Sequence, residues 1–136
     1  MRIQILSIKA FKYYKKYLDK NIKVIVSTSS NEKLKEVKRK NKLVLYYDDI
    51  TSGKRAFNVK HAKQIKRFMK KISQKNTIYC LCDAGISRSS AIAAVLSKYY
   101  NGDNSNILND WHYEPNKHIY KMLSREVDWY EIKILL

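Results

Sequence analysis

Cys82 and Arg88 are separated by five residues, Asp83-Ala84-Gly85-Ile86-Ser87, and Ser89 follows directly. These residue types suit a loop that holds a tetrahedral dianion against a nucleophile. Thr77-Ile78-Tyr79-Cys80-Leu81 leads in as a β-forming apolar run, and Ser90-Ala91-Ile92-Ala93-Ala94-Val95-Leu96 leads out as a helix-forming run. The loop therefore belongs at the junction of a buried strand and a helix N-terminus. N–H groups left free by the first helical turn point into such a loop, and the helix dipole adds partial positive charge. That place binds phosphate-like anions and favours the thiolate form of a cysteine. Arg88 offers a planar fork of donors for two phosphoryl oxygens. A thiolate inside a phosphate cradle is the arrangement for phosphoryl transfer through a cysteinyl-phosphate. Cys82 is the expected nucleophile, and Asp83, Ala84, Gly85, Ile86, Ser87 and Arg88 are the expected phosphate loop.

The leaving alkoxide or phenoxide in such a reaction needs a proton, and a carboxylic acid near the scissile oxygen supplies it. Asp48 and Asp49 follow a strand and open the segment Asp48-Asp49-Ile50-Thr51-Ser52-Gly53, which is placed to fold over the site. The Ser89 hydroxyl can hydrogen-bond the departing thiolate, cap the helix, or do both. Asp83 puts negative charge beside the nucleophile and disfavours very highly charged substrates. Cys80 lies two residues from Cys82, too close for an ordinary disulfide, and reads as a core cysteine. His61 reads as a structural histidine, and His112 and His118 lack metal-ligand companions, so neither metal nor cofactor is expected.

The elements that must position these residues are readable from periodicity. Candidate strands are Ile3 to Ser7, Ile22 to Ser27, Lys42 to Tyr47 and Thr77 to Leu81. Candidate helices are Lys9 to Asp19 with Phe11, Tyr14 and Leu18 on one face, Glu32 to Lys40, and Asn58 to Ser73 with Val59, Ala62, Ile65, Phe68, Met69 and Ile72 inward. Ser89 to Tyr100 and Asn116 to Tyr130 complete the set, with Pro115 near the start of the last. Alternating strands and helices imply an α/β fold with a mainly parallel central sheet covered on both faces. Ligands of such sheets bind beyond the strands' carboxyl ends, where Cys82 falls. Residues 1–136 are expected to form one domain, with 45% apolar residues for a single core.

The chain has no run of eighteen apolar residues, and Met1-Arg2-Ile3-Gln4-Ile5-Leu6 lacks the features of a signal peptide. Two free cysteines and a thiolate nucleophile suit the cytoplasm. The formal net charge is +16, with 22 lysines and six arginines. Such a balance favours anionic partners. It also describes a solvated lysine coat, and lysine rather than arginine dominance suits that coat slightly better.

Cys82 to Ser89 resembles the active-site loop of cysteine-dependent protein tyrosine phosphatases, and Ala84-Gly85-Ile86-Ser87-Arg88-Ser89 is most similar to the dual-specificity branch. Phe57, His61-Ala62, Ile65 and Phe68 resemble the helix before the catalytic strand in small bacterial and viral members. Asn101-Gly102-Asp103, Tyr113, Pro115-Asn116 and Ile119-Tyr120 resemble the segment after the active-site helix. The resemblance spans about residues 43 to 123. It implies a phosphomonoester hydrolase acting on phosphorylated proteins, at phosphotyrosine and also at phosphoserine or phosphothreonine. It implies Asp49 as the acid, because related members carry an aromatic-x-Asp pattern that Tyr47 and Asp49 match. Asp49 lies 33 residues before Cys82 (82 minus 49). The family usually has His directly before the nucleophile, and here that residue is Leu81. Anion stabilisation therefore falls to the helix N-terminus and Arg88. The net charge keeps two other readings open. One is an RNA 5′-phosphatase of the same superfamily, whose members usually have His and Asn in the loop. The other is a non-enzymatic basic phosphate-binding module.

Overall fold

Four strands form one sheet: β1 (Arg2–Ser7), β2 (Ile22–Thr28), β3 (Lys42–Tyr46) and β4 (Thr77–Cys82). The computed structural model of the chain describes residues 1–18 and 21–127. The strand order is β1-β4-β2-β3, and every pairing is parallel. β4 is central, and its register sets Cys82 between Ser7 of β1 and Ser27 of β2. The last residue of the central strand thus emerges at the carboxyl edge of the sheet, the ligand-binding edge of a parallel α/β fold.

The period-two alternation of strand side chains divides the core into two layers. Val24, Val26, Tyr79 and Leu81 pack with Ile8 and Phe11 of α1 (Ile8–Tyr14) and with Leu34 and Val37. Ile25, Ile78 and Cys80 face the other way, under α2 (Val59–Lys70), α3 (Arg88–Asn101) and α5 (Lys117–Glu126). A short α4 (Ser105–Leu108) adds Ile107 to this layer. α2 buries Ala62, Ile65 and Met69, one stripe at helical spacing. α3 is buried continuously from Arg88 to Ser97, which suits its small Ala91, Ala93 and Ala94. Fully burying an Ile or Leu side chain such as Ile65 or Leu96 contributes about 1.5–3 kcal/mol, so this second layer anchors α3 and the loop before it.

Three expected features differ. The stretch from Glu32 to Lys40 is no α-helix; it is a series of turns ending in a 3-10 segment, Arg39–Asn41. Leu34 is left-handed, with φ of 49°. Side chains take the segment's carbonyls: Lys42 Nζ donates to the carbonyls of Lys33 and Leu34, and Tyr46 Oη donates to that of Glu32. The first helix ends at Tyr14 and tightens into a 3-10 turn over Lys15–Tyr17. That leaves Tyr14 at 49% exposure, outside the buried stripe, and Asp19 lies outside the described residues. Val59 is also exposed, because it is the first residue of α2, beyond the reach of the layer below. The final helix starts after Asn116 as expected, and residues 128 to 130 lie outside the described residues.

Candidate active site

β4 delivers Cys82 to the sheet edge, and the chain then turns through residues 83–87 into α3. Cys82 is buried, and its Sγ lies 3.1 Å from Ser89 Oγ and accepts the Gly85 N–H at 3.2 Å. The first intrahelical bond of α3 runs from Ala91 N–H to the Ser87 carbonyl. The N–H groups of Arg88, Ser89 and Ser90 therefore precede the helical ladder, as anion binding at a helix start requires. Gly85 gives the loop its shape. Its φ is +71°, and a Cβ there would sit 2.6 Å from the backbone nitrogen of Ser7. Both the left-handed backbone and the close packing on β1 exclude a side chain. Ser90 Oγ ties the loop down from inside the helix, donating to the Ile86 carbonyl.

Arg88 is 7% exposed. Nη1 donates to Ser29 Oγ at 2.7 Å and to the Tyr47 carbonyl at 2.9 Å, and Nη2 donates to Asp83 Oδ2 at 2.7 Å. A guanidinium has five N–H donors. These contacts use three, which leaves Nε–H and one Nη2–H. Asp83 also accepts from Thr28 Oγ1 at 2.9 Å and from the Ser29 N–H at 3.3 Å. Burial alone pushes the Asp83 pKa up, but the hydrogen bonds from Arg88, Thr28 and Ser29 outweigh it and hold the carboxyl below the usual carboxylate range. Asp83 thus serves as a brace for Arg88, and the cation offsets its charge.

Asp48 and Asp49 have different surroundings. Asp48 forms a two-point pair with Arg55, at 2.7 Å and 3.1 Å, and the hydrogen bond from Arg55 is the main cause of its lowered pKa. Its N–H also donates to the Arg55 carbonyl, which closes the 48–55 loop at its base. Asp49 instead faces the phosphate loop. Its Oδ1 accepts from Ser87 Oγ at 2.8 Å and from Asn116 Nδ2 at 2.9 Å. Both donors fall on the same oxygen. Ser87 sits at the helix N-cap position, yet its side chain makes no cap bond and holds Asp49.

Asn116 joins three parts of the chain. Its N–H donates to the Ser87 carbonyl, its Nδ2 to Asp49 and to the Ile50 carbonyl, and its Oδ1 caps α5 by accepting the Ile119 N–H. Beside it, Glu114 N–H donates to the Ile86 carbonyl. Asn116 matched the family pattern in sequence, yet nothing local reveals its bond to Asp49. Thr28 and Ser29 drew no attention as site residues, although Ser27-Thr28-Ser29-Ser30 is a run of four hydroxyls at a strand's carboxyl end. Cys80 is fully buried, and burial pushes its thiol pKa up. Among the described residues, no three His, Cys, Asp or Glu side chains gather to hold a metal ion.

No protein-family model and no curated protein matches the chain. Solved structures do match. The PTP-2 phosphatase of Cydia pomonella superposes with a TM-score of 0.65 at 15% identity, over 92% of this chain and 85% of that one. PTPMT1 in complex with PI(5)P gives 0.57 at 13% identity, over 98% and 94%. The chain has the fold of the cysteine-dependent protein tyrosine phosphatases.

A third neighbour on this phosphatase fold is the human tyrosine phosphatase-like serine/threonine/tyrosine-interacting protein, with a TM-score of 0.56 at 18% identity over 96% of this chain and 87% of that one. A shared fold does not fix a chemistry, so the chemistry must be argued from the residues around Cys82. Among the described residues, no helix is long and apolar enough to cross a membrane.

Proposed function

We propose that the chain is a protein tyrosine or dual-specificity phosphatase that hydrolyses phosphomonoesters through a cysteinyl-phosphate on Cys82. The observation that carries this reading is convergence. Cys82 from the end of β4, Arg88 and Ser89 from the start of α3, and Asp49 from the loop after β3 gather around one helix N-terminus.

Each group has one task. The backbone N–H groups of the loop and the remaining donors of Arg88 hold the phosphoryl oxygens and favour the charge that develops on them. Cys82 Sγ attacks phosphorus as the ester P–O bond breaks, and Asp49 gives its proton to the leaving oxygen. Water then attacks the phosphocysteine and gives a proton back to Asp49. The S–P bond breaks, and Ser89 Oγ–H donates to the departing sulfur. Inorganic phosphate leaves. The Leu81 neighbour takes no part in this sequence.

The test is hydrolysis of an aryl phosphate by the native and Cys82→Ser proteins, followed by phosphotyrosine, phosphoserine and phosphothreonine peptides and 5′-triphosphorylated RNA. A fall of at least about a thousandfold in the variant is expected. Equal rates in the two proteins would sink the mechanism. Turnover of the RNA alone would reassign the substrate, and phosphate binding with no turnover by the native protein would leave a binding module.

A further inference from the structure

We propose that α1 and the turns beyond it form a binding track for single-stranded nucleic acid. The exposed residues from Lys9 to Tyr17 are Lys9, Lys12, Tyr13, Tyr14, Lys16 and Tyr17. Lys9, Lys12, Tyr13 and Lys16 recur at helical spacing, so bases and rings share the outward face. Tyr13 and Tyr17 are each 73% exposed. Tyr13 and Tyr14 meet edge to face at 4.9 Å between centroids, and Lys16 Nζ sits 5.1 Å from the Tyr17 ring centre.

Three recesses run together along this face. The first, about 320 Å³, lies beside Asp83 of the phosphate loop and is walled by Lys9 and Lys12. Lys12 also lines the second, about 420 Å³, with Tyr13 and Tyr17. Lys15 and Lys16 line that recess and a third, about 680 Å³, which Lys23, Lys38 and Lys40 close from the far side. Glu36 is the one carboxylate on the third recess among the described residues, against five lysines. Glu32 meets Lys12 at 2.6 Å, so the positive charge of the track grows away from the phosphate loop.

Lysines along a groove neutralise a phosphate backbone, and open aromatic faces stack unpaired bases. Paired bases hide their faces, which favours single strands over duplexes. A membrane surface fits less well, because an interfacial helix inserts Trp, Phe or Leu, and the exposed apolar groups here are tyrosines only. Only the first recess borders the phosphate loop, at Asp83, and Tyr13, Tyr17 and the remaining lysines line the recesses beyond it, so the inference does not rest on the phosphatase reading.

The experiment is fluorescence anisotropy with a 3′-labelled, unphosphorylated twelve-nucleotide oligouridine across a salt series. The native protein should bind, and a duplex of the same length should bind severalfold more weakly. Tyr13→Ala with Tyr17→Ala should weaken binding about tenfold or more, while aryl phosphate turnover stays unchanged. Lys16→Gln, Lys38→Gln and Lys40→Gln together should lower the slope of log affinity on log salt by about two, at roughly 0.7 per phosphate contact. The control is Lys60→Gln, Lys63→Gln and Lys70→Gln on the outer face of α2, which removes equal charge and should change affinity less than about twofold. If the α2 variant loses as much as the track variant, diffuse charge explains the binding and the proposal fails. It also fails if the tyrosine variant or the duplex binds as well as the native single-strand complex. Binding to phosphatidylserine vesicles without binding to the oligouridine overturns it too. A protein that binds RNA but leaves the aryl phosphate intact would sink only the phosphatase reading.

Discussion

Asn116 and Asp49 lie 67 residues apart in sequence and meet at 2.9 Å, amide nitrogen to carboxylate oxygen. The bond fixes an exposed carboxylate beside a loop that is itself open to solvent at Asp83, Ala84 and Ile86. Asn116→Ser keeps a good helix cap but reaches neither Asp49 nor Ile50. Its expected effect is a drop in kcat of about tenfold on a phosphotyrosine peptide, with KM changed little. Thermal unfolding should barely move, whereas Asn116→Ala should also lose about 1 kcal/mol with the cap. An unchanged kcat in Asn116→Ser assigns Asn116 a purely structural role.

Asp49→Asn should slow the phosphotyrosine peptide by roughly two to three orders of magnitude. An aryl ester with a good leaving group needs no proton and should lose far less. Asp48→Asn is the internal control, since Asp48 is engaged with Arg55 while Ser87 donates to Asp49. If the leaving-group dependence appears at Asp48 instead, the two aspartates exchange roles and the cysteine chemistry stands.

Arg88→Lys keeps the charge but cannot make contacts to Ser29, Tyr47 and Asp83 and still present two donors to a ligand. Vanadate affinity and kcat should fall together, each by about tenfold or more. Titration calorimetry with vanadate, beside steady-state rates, separates this from a simple folding defect. Near-native values for both would exclude the two-donor role.

His61 links stability to pH. Its Nδ1 accepts the Asn58 N–H at 3.0 Å, and its ring packs on Tyr47 and Phe57. Burial holds its pKa below the ordinary 6.5. As pH falls, the unfolded chain takes up this proton first. The contribution is therefore complete above about pH 6.5 and is lost as pH falls through the folded value. The urea midpoint should be higher at pH 7.5 than at pH 5.5, and the difference should shrink in His61→Gln. An identical difference in both proteins rules His61 out as the source.

The strand-turn-helix junction at Cys82 was legible because its parts are contiguous: an apolar strand, a glycine turn and an alanine-rich helix start. The sheet was legible because its strands are short β-branched runs. What the sequence concealed depends on distance. Thr28 and Ser29 reach Asp83 and Arg88 only because β2 lies beside β4, a neighbour relation that the local pattern does not state. The stretch from Glu32 to Lys40 has helical composition, but lysine and tyrosine side chains from β3 take its carbonyls. Tertiary partners override propensity there. Tyr14 and Val59 point outward because each stands at a helix end, where a continued 3.6-residue period no longer describes the chain.

Gly85 leans on the main chain of Ser7, not on a side chain. The phosphate loop is therefore shaped by how far β1 extends and hardly by what β1 is made of. Replacing the outward-facing residues of β1 leaves that wall in place. Deleting or inserting one residue slides the wall by about 3.3 Å, driving it into the loop or leaving a gap behind it. Along this strand the site tolerates drift in spelling and resists change in length.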